Sequence, residues 1–176
     1  MATTPASGPI PGSYWLVEGR LLAGEYPGAN IPDRARQRLE SFVDAGIRTF
    51  VDLTQERDGL EPYAALVAEI ADDRKLDLRY RRFAVRDMGV PTREVMADVL
   101  STLRTELDEG RAVYVHCWGG IGRTGTVAGC WLVEEGHSAT EALDRIAALR
   151  AGLPAAYIRS PETDAQCAFI RAWVPR

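Results

Sequence analysis

The chain has 176 residues, 46% of them hydrophobic and 26% charged, which fits a single globular domain of somewhat over 150 residues and excludes disordered and fibrous classes. A net charge of −4 and a pI near 5.3 argue against a partner that is nucleic acid or acidic membrane, and no apolar run approaches the roughly 18 residues of a membrane span. Residues 1–12, M-A-T-T-P-A-S-G-P-I-P-G, read as a loose lead-in without the basic flank or apolar stretch of a secretory signal, and residues 13–176 as one domain.

Two short apolar runs, 13–17 and 20–25, are split by Glu18-Gly19 and predict an N-terminal β-hairpin. Asn30-Ile31-Pro32-Asp33 opens a helix whose apolar positions Leu39, Phe42 and Val43 recur at helical spacing until Gly46. Residues 47–54, I-R-T-F-V-D-L-T, are β-branched and apolar, a buried strand. The stretch 60–74 reads as helix and 76–85 as a further strand. After the turn signal M-G-V-P a long helix runs from Thr92 to Glu109 and is closed by Gly110. Residues 112–117, A-V-Y-V-H-C, form a strand without alternation, as expected when both faces are covered. Helix follows over 123–135, up to Gly136, and Ser138 with Glu141 makes a capping box for another that reaches Arg150. A last helix is expected to start at Ser160-Pro161 and run through Trp173. Strands alternating with helices imply an α/β fold, a mostly parallel central sheet flanked by helices.

Cys117, Cys130 and Cys167 are an odd number with no C-x-x-C pair, and His116 and His137 are the only histidines. That is neither a disulfide framework nor a zinc site, so no metal or cofactor is expected and a reducing, cytoplasmic setting suits the chain. Cys130 and Cys167 fall on helix faces as core residues. Lys75 is the sole lysine, and the arginine excess is read as compositional.

The chemistry concentrates in His116-Cys117-Trp118-Gly119-Gly120-Ile121-Gly122-Arg123-Thr124-Gly125, between a strand and a helix. Such a junction is an anion cradle: glycines let successive backbone N–H groups turn inward, and the helix start adds unpaired donors and a positive dipole end. Arg123 can grip two oxygens of a phosphate in fork fashion. Cys117 opens the loop, and donors that hold a phosphate also stabilise its thiolate. The Thr124 hydroxyl can add a hydrogen bond to that sulfur. Gly120-x-Gly122-x-x-Gly125 also matches a dinucleotide fingerprint, but the acidic residues about 20 positions on, Glu141 and Asp144, fall inside a capped helix instead of ending a strand. A merely buried cysteine beside a tight turn would not need three glycines and an Arg-Thr pair at this spacing.

This stretch resembles the signature loop of the cysteine-dependent protein tyrosine and dual-specificity phosphatases, in which five residues separate the cysteine from the arginine. The doubled glycine is more similar to the loop of the cyclin-dependent kinase inhibitor 3 phosphatases than to that of lipid phosphatases, whose loops carry lysines. The resemblance implies a phosphotyrosine-phosphatase-like fold and metal-free hydrolysis of phosphate monoesters through a phosphocysteine. Its substrates would be phosphorylated proteins or peptides carrying phosphotyrosine, with phosphoserine and phosphothreonine as further substrates of a dual-specificity member. It also implies that Cys117 and Arg123 are catalytic, that residues 118–123 bind phosphate, and that His116 supports the cysteine.

Breaking a P–O ester bond needs a general acid. The family carries it in W-P-D-x-G-x-P, and Val85-Arg86-Asp87-Met88-Gly89-Val90-Pro91 matches at the aspartate, glycine and proline, which assigns the acid to Asp87. Asp52 and Asp58 are weaker candidates, Asp52 being read as structural. Gln166 has two readings: the water-orienting glutamine of the family, or the partner of Thr163 in a capping box. Arg79, Arg81, Arg82 and Arg86 either make the mouth positive or line a solvated strand edge. The alternatives in function are arsenate reduction or sulfur transfer at the same kind of loop, which need no acid, and a phosphate-binding module without turnover.

Overall fold

The computed structural model describes residues 8–175. Of the lead-in, residues 1–7 lie outside the described residues; in the rest, Ile10 is buried and its carbonyl accepts the Ser13 hydroxyl at 2.8 Å. The hairpin strands are β1 (Ser13–Val17) and β2 (Leu21–Gly24), followed by α1 (Pro32–Asp44) and β3 (Ile47–Asp52). A 3-10 turn (Glu56–Asp58) leads to α2 (Ala64–Arg74), β4 (Arg79–Arg82), α3 (Arg93–Asp108) and β5 (Ala112–His116). The chain then makes α4 (Gly122–Glu134), α5 (Ala139–Arg150) and α6 (Asp164–Arg171). No helix among the described residues is long and apolar enough to cross a membrane.

The sheet order is β1-β2-β5-β3-β4, antiparallel in the hairpin and parallel across the other pairs. Alternate side chains on a strand point to opposite faces, and the two cores follow that rule. Leu21, Ala23, Val113 and Val115 meet Met96, Leu103, Val127, Ile146 and Ile170 from α3 to α6 on one face. Leu22, Phe50 and Tyr114 meet Leu39, Phe42 and Val67 from α1 and α2 on the other. Every residue from Gly122 to Val133 of α4 is buried, because α3, α5 and α6 enclose it.

Three expectations are corrected at their edges. Helix α2 starts at Ala64, not at residue 60. Strand β4 is only Arg79–Arg82, since it is an edge strand with one partner, β3. The last helix begins at Asp164 and ends at Arg171: Thr163 is its cap, its Oγ1 accepting from Gln166 N at 3.2 Å, while the Ser160 hydroxyl is engaged on the Ile121 carbonyl at 2.7 Å.

The parallel layers are tied at the far end from the hairpin's partner loops by Glu106 of α3, whose side chain is 4% exposed. It accepts from Thr49 Oγ1 on β3 at 2.7 Å, Arg111 Nε at 2.5 Å and Arg79 Nη1 at 3.3 Å. Burial alone would raise its pKa, but the Arg111 and Thr49 bonds outweigh it and hold the carboxyl below its ordinary range. A depressed carboxylate contributes stability that is complete above its unfolded pKa and is lost as pH falls through the folded one. Glu106→Gln should therefore lose about 1–3 kcal/mol at pH 7. The gap from the parent, measured by urea unfolding, should narrow below about pH 4; a gap that does not change with pH would remove the charge from the explanation.

Candidate active site

Parallel strands deliver their carboxyl ends to one edge, and Gly24, His116, Asp52 and Arg82 form a single row there. Cys117 leaves β5 at that row and is 3% exposed. The first α4 bond is Gly125 N to Ile121 O at 3.2 Å, so the amides before it lie outside the helix ladder, at the positive end of the helix dipole. The loop is pinned to the end of β2, where the Trp118 carbonyl accepts from Tyr26 N at 2.8 Å. Gly120 has φ +67°, and a Cβ there would lie 2.6 Å from the Glu25 amide nitrogen, so only glycine fits. The Trp118 side chain is half exposed on the outside.

Arg123 is 2% exposed. Its Nη1 donates to Asp58 Oδ2 at 2.6 Å, to the Val85 carbonyl at 3.0 Å and to the Leu53 carbonyl at 3.4 Å. Nη2 stands 3.0 Å from Asp87 Oδ1, an ion pair out of hydrogen-bond alignment, and both Nη2 and Nε are buried without a hydrogen-bond partner. One edge of the fork is anchored and the other is open. A guanidinium keeps its charge, and buried donors left unpaired cost free energy, so the open edge is a strong site for two oxygens of an anion.

Behind the loop, His116 Nδ1 is 3.0 Å from the Cys117 carbonyl and Nε2 is 2.5 Å from Tyr63 Oη. A carbonyl only accepts, so Nδ1 carries the proton and Nε2 accepts from the tyrosine. Burial pushes the His116 pKa down and the Tyr63 pKa well up, which keeps both neutral in those roles. Asp52 accepts from Thr54 N at 2.7 Å and Tyr80 Oη at 2.7 Å. Burial would raise its pKa, but the hydrogen bonds from Thr54 and Tyr80 help to bring it below the ordinary value. These ties make it a structural carboxylate. The Thr124 hydroxyl, expected on the sulfur, donates instead to the Gly24 carbonyl at 3.4 Å, because its side chain faces the end of β2.

Asp87, half exposed, stands on a turn closed by Gly89 N to Arg86 O at 3.0 Å. Gln166 holds that turn: its Nε2 donates to the Gly89 carbonyl at 3.0 Å, while Oε1 accepts from Glu162 N and Thr163 N at 3.0 Å each. Its amide also packs on Gly122, where a Cβ would lie 2.9 Å from Nε2. Capping and contact with the loop thus coexist in one residue. Cys130 and Cys167 are buried in the helix layer, Cys167 next to Gln166 and with its Sγ 3.8 Å from the Pro161 carbonyl.

Arg123 meets Asp58 and Asp87 beside a cavity of about 310 Å³ lined by Gln55, Arg57, Asp58, Arg86 and Asp87. Of the four arginines ahead of Asp87, Arg86 lines this mouth, whereas Arg79 pairs with Glu106 and Asp77 and Arg82 Nε binds the Thr54 carbonyl at 2.9 Å. Three roles are missed in the sequence: Asp58, read there as a weaker acid candidate, holds Arg123; Tyr63 partners His116; and Ser160, read as the start of the last helix, donates to Ile121.

Residues 27–137, well over half of the chain, match the family model described as "Tc-R-P: Polymorphic toxin system, DSP-PTPase phosphatase". The chain is 28% identical over 127 residues to protein tyrosine phosphatase domain-containing protein 1 of Mus musculus and 35% identical to that of Bos taurus, covering 69% of this chain in each case. The matched stretch spans only 17% and 16% of those two relatives. Among solved structures, Tk-PTP in the active form aligns with a TM-score of 0.69 at 24% identity, covering 93% of this chain and 99% of that one. Kinase associated phosphatase aligns at 0.67 and 19%, covering 97% and 94%. Both share the fold: an α/β layer with a central sheet and flanking helices.

The fit at Gly120 can be tested directly. Gly120→Ala should cost about 1–2 kcal/mol for the left-handed backbone alone, with more from the collision at Glu25, in chemical denaturation. Tungstate binding to the loop should weaken with it. A variant as stable as its parent would show that the loop is not clamped to β2.

Proposed function

This chain belongs to the DSP-PTPase phosphatase family, and we propose that it hydrolyses phosphate monoesters on proteins or peptides, phosphotyrosine first and phosphoserine or phosphothreonine after it, through a phosphocysteine intermediate. The observation that carries this reading is the open Nε–Nη2 edge of Arg123, a buried, permanently charged fork at the end of the loop that Cys117 begins. A phosphate whose oxygens fill that edge and the loop amides from Trp118 to Arg123 presents its phosphorus to Cys117.

In the first step the Cys117 thiolate attacks phosphorus, an S–P bond forms, and the P–O bond to the leaving group breaks on the opposite side. Asp87, beside Arg123 Nη2 at 3.0 Å, delivers its proton to the departing oxygen. In the second step a water attacks the phosphocysteine, Asp87 takes up one of its protons, and inorganic phosphate leaves as the thiolate is regenerated. Gln166 stands close enough to Gly122 and Gly89 for the second hydrogen of its Nε2 to orient that water. Asp58 acts through Arg123 by holding Nη1, and His116 acts through Cys117 by fixing its carbonyl. All three thiols are free, which supports work in a reducing, cytoplasmic compartment.

Cys117→Ser should abolish turnover of para-nitrophenyl phosphate while tungstate still binds, followed by calorimetry; near-normal turnover would rule out the covalent route. Asp87→Asn should slow a seryl phosphopeptide by roughly 100-fold or more, because an alkoxide leaves badly unprotonated. Para-nitrophenyl phosphate should lose much less, and the alkaline limb of the rate profile should flatten. Equal losses on both substrates would make Asp87 a shaper of its loop, and no loss would favour arsenate reduction or sulfur transfer.

A further inference from the structure

A second cavity, of about 270 Å³, lies on the other side of the phosphate loop, between α5, α6 and residues 151–160. Its wall is mainly apolar, with Leu143, Ala147 and Ile158, and it carries three arginines, Arg150, Arg159 and Arg171, against one acid, Asp144. Arg150 ends α5 and is 3% exposed. Its Nη1 donates to the Ile158 carbonyl at 2.9 Å and its Nη2 to the Ala155 carbonyl at 3.1 Å, while Nε is buried without a partner. Carbonyls take up hydrogens but supply no countercharge. Among the described residues Arg150 and Arg171 enter no ion pair, and Arg159 pairs only with the exposed Asp164.

A buried cation whose hydrogen bonds all go to carbonyls, with no carboxylate in direct contact, is unusual, because burial is tolerated when charges are paired. Burial pushes the Arg150 pKa down, and the influence of Tyr14, Cys117 and Glu162 only partly offsets it. The cavity is near the small end of ligand pockets, which run from about 300 to 1,000 Å³. Mostly apolar walls with an excess of positive charge select an amphiphile with one anionic head.

We propose that this cavity binds a small amphiphile with a single anionic head group, carboxylate or sulfonate, set toward Arg150 and Arg171, and an apolar body against Leu143, Ala147 and Ile158. Ser160 lines the same wall and donates to the Ile121 carbonyl of the phosphate loop at 2.7 Å. Cys167, also in the wall, follows Gln166, which holds Gly89 of the Asp87 turn. An occupant therefore abuts the residues that position both loops.

The test uses the full chain, with and without saturating tungstate, titrated calorimetrically with octanoate and, as a cationic control, octylamine. Octanoate should bind saturably whether or not tungstate is present, and octylamine should not bind. The double variant Arg159→Glu/Arg171→Glu, at two exposed positions, should weaken octanoate at least tenfold with an unchanged unfolding midpoint. Should that variant unfold, Ala147→Trp fills the cavity and should abolish binding. The proposal is overturned if octanoate fails to bind in the millimolar range, if it competes with tungstate, if octylamine binds equally, or if the variants bind like the parent. Octanoate binding in a chain that takes up no tungstate would instead sink the phosphatase reading and leave this one standing.

Discussion

A guanidinium that can neither lose its charge nor reach water needs hydrogen-bond acceptors on every side, and Arg123 finds them on one. Its Nη1 draws acceptors from three separate segments: Leu53 beyond β3, Asp58 in the 3-10 turn, and Val85 at the start of the Asp87 turn. Those segments differ in sequence by up to 70 positions from the arginine they surround. Fixing one side chain therefore fixes the relative places of a strand end, a turn and a loop. The remaining edge has no hydrogen-bond partner, and that omission leaves two buried donors available within a packed core.

The sheet supplies the frame on which this depends. Because β2, β5 and β3 run parallel, their carboxyl ends emerge on one edge, and loops rather than further strands occupy it. Polar contacts continue the frame inward: Tyr63 to His116, His116 to the Cys117 carbonyl, and Tyr80 to Asp52. Tyr63 packs edge-on against Tyr80 with ring centroids 5.3 Å apart. The network lies on the face covered by α1 and α2, so the Cys117 backbone is oriented from the layer opposite the helix that carries the arginine.

What the sequence made legible was what lies within a few residues along the chain. Cys117 and Arg123 stand on one strand-loop-helix junction, and spacing alone brings them together. The helix boundaries at Gly110 and Gly136 were readable from left-handed glycines, with φ +79° and +96°. Asp58 is 65 positions from Arg123, and no local pattern distinguishes an acid that will hold an arginine from one on a solvated turn. Tyr63, 53 positions from His116, reads as an ordinary core aromatic. The Thr124 hydroxyl was assigned to the sulfur because the motif puts them near each other, yet the direction of a side chain at a helix start depends on β2, which the motif does not contain. Ser160 and Thr163 both look like helix caps; the choice between them rests on which hydroxyl the phosphate loop occupies, again a tertiary matter.

The same tertiary ties bear on the segment around Asp87, where Val85-Arg86 stands in place of a Trp-Pro pair. Val85 is buried; its N–H donates to the Leu53 carbonyl at 3.1 Å and its own carbonyl accepts from Arg123. Four residues on, Gly89 is held through its N–H by Arg86 and through its carbonyl by Gln166. Asp87 thus projects from a short turn anchored at both ends, one end to the arginine and the other to the cap of α6. Met88 occupies this turn at φ +59°, a backbone region that disfavours a side chain and that the two anchors must hold. The ring of an absent tryptophan is not needed to bring the carboxylate over the loop, since main-chain bonds already place it beside the open edge of Arg123. The Asp87 turn and the open edge of Arg123 are consequently held by the same buried charge, and a change that loosens the arginine loosens both.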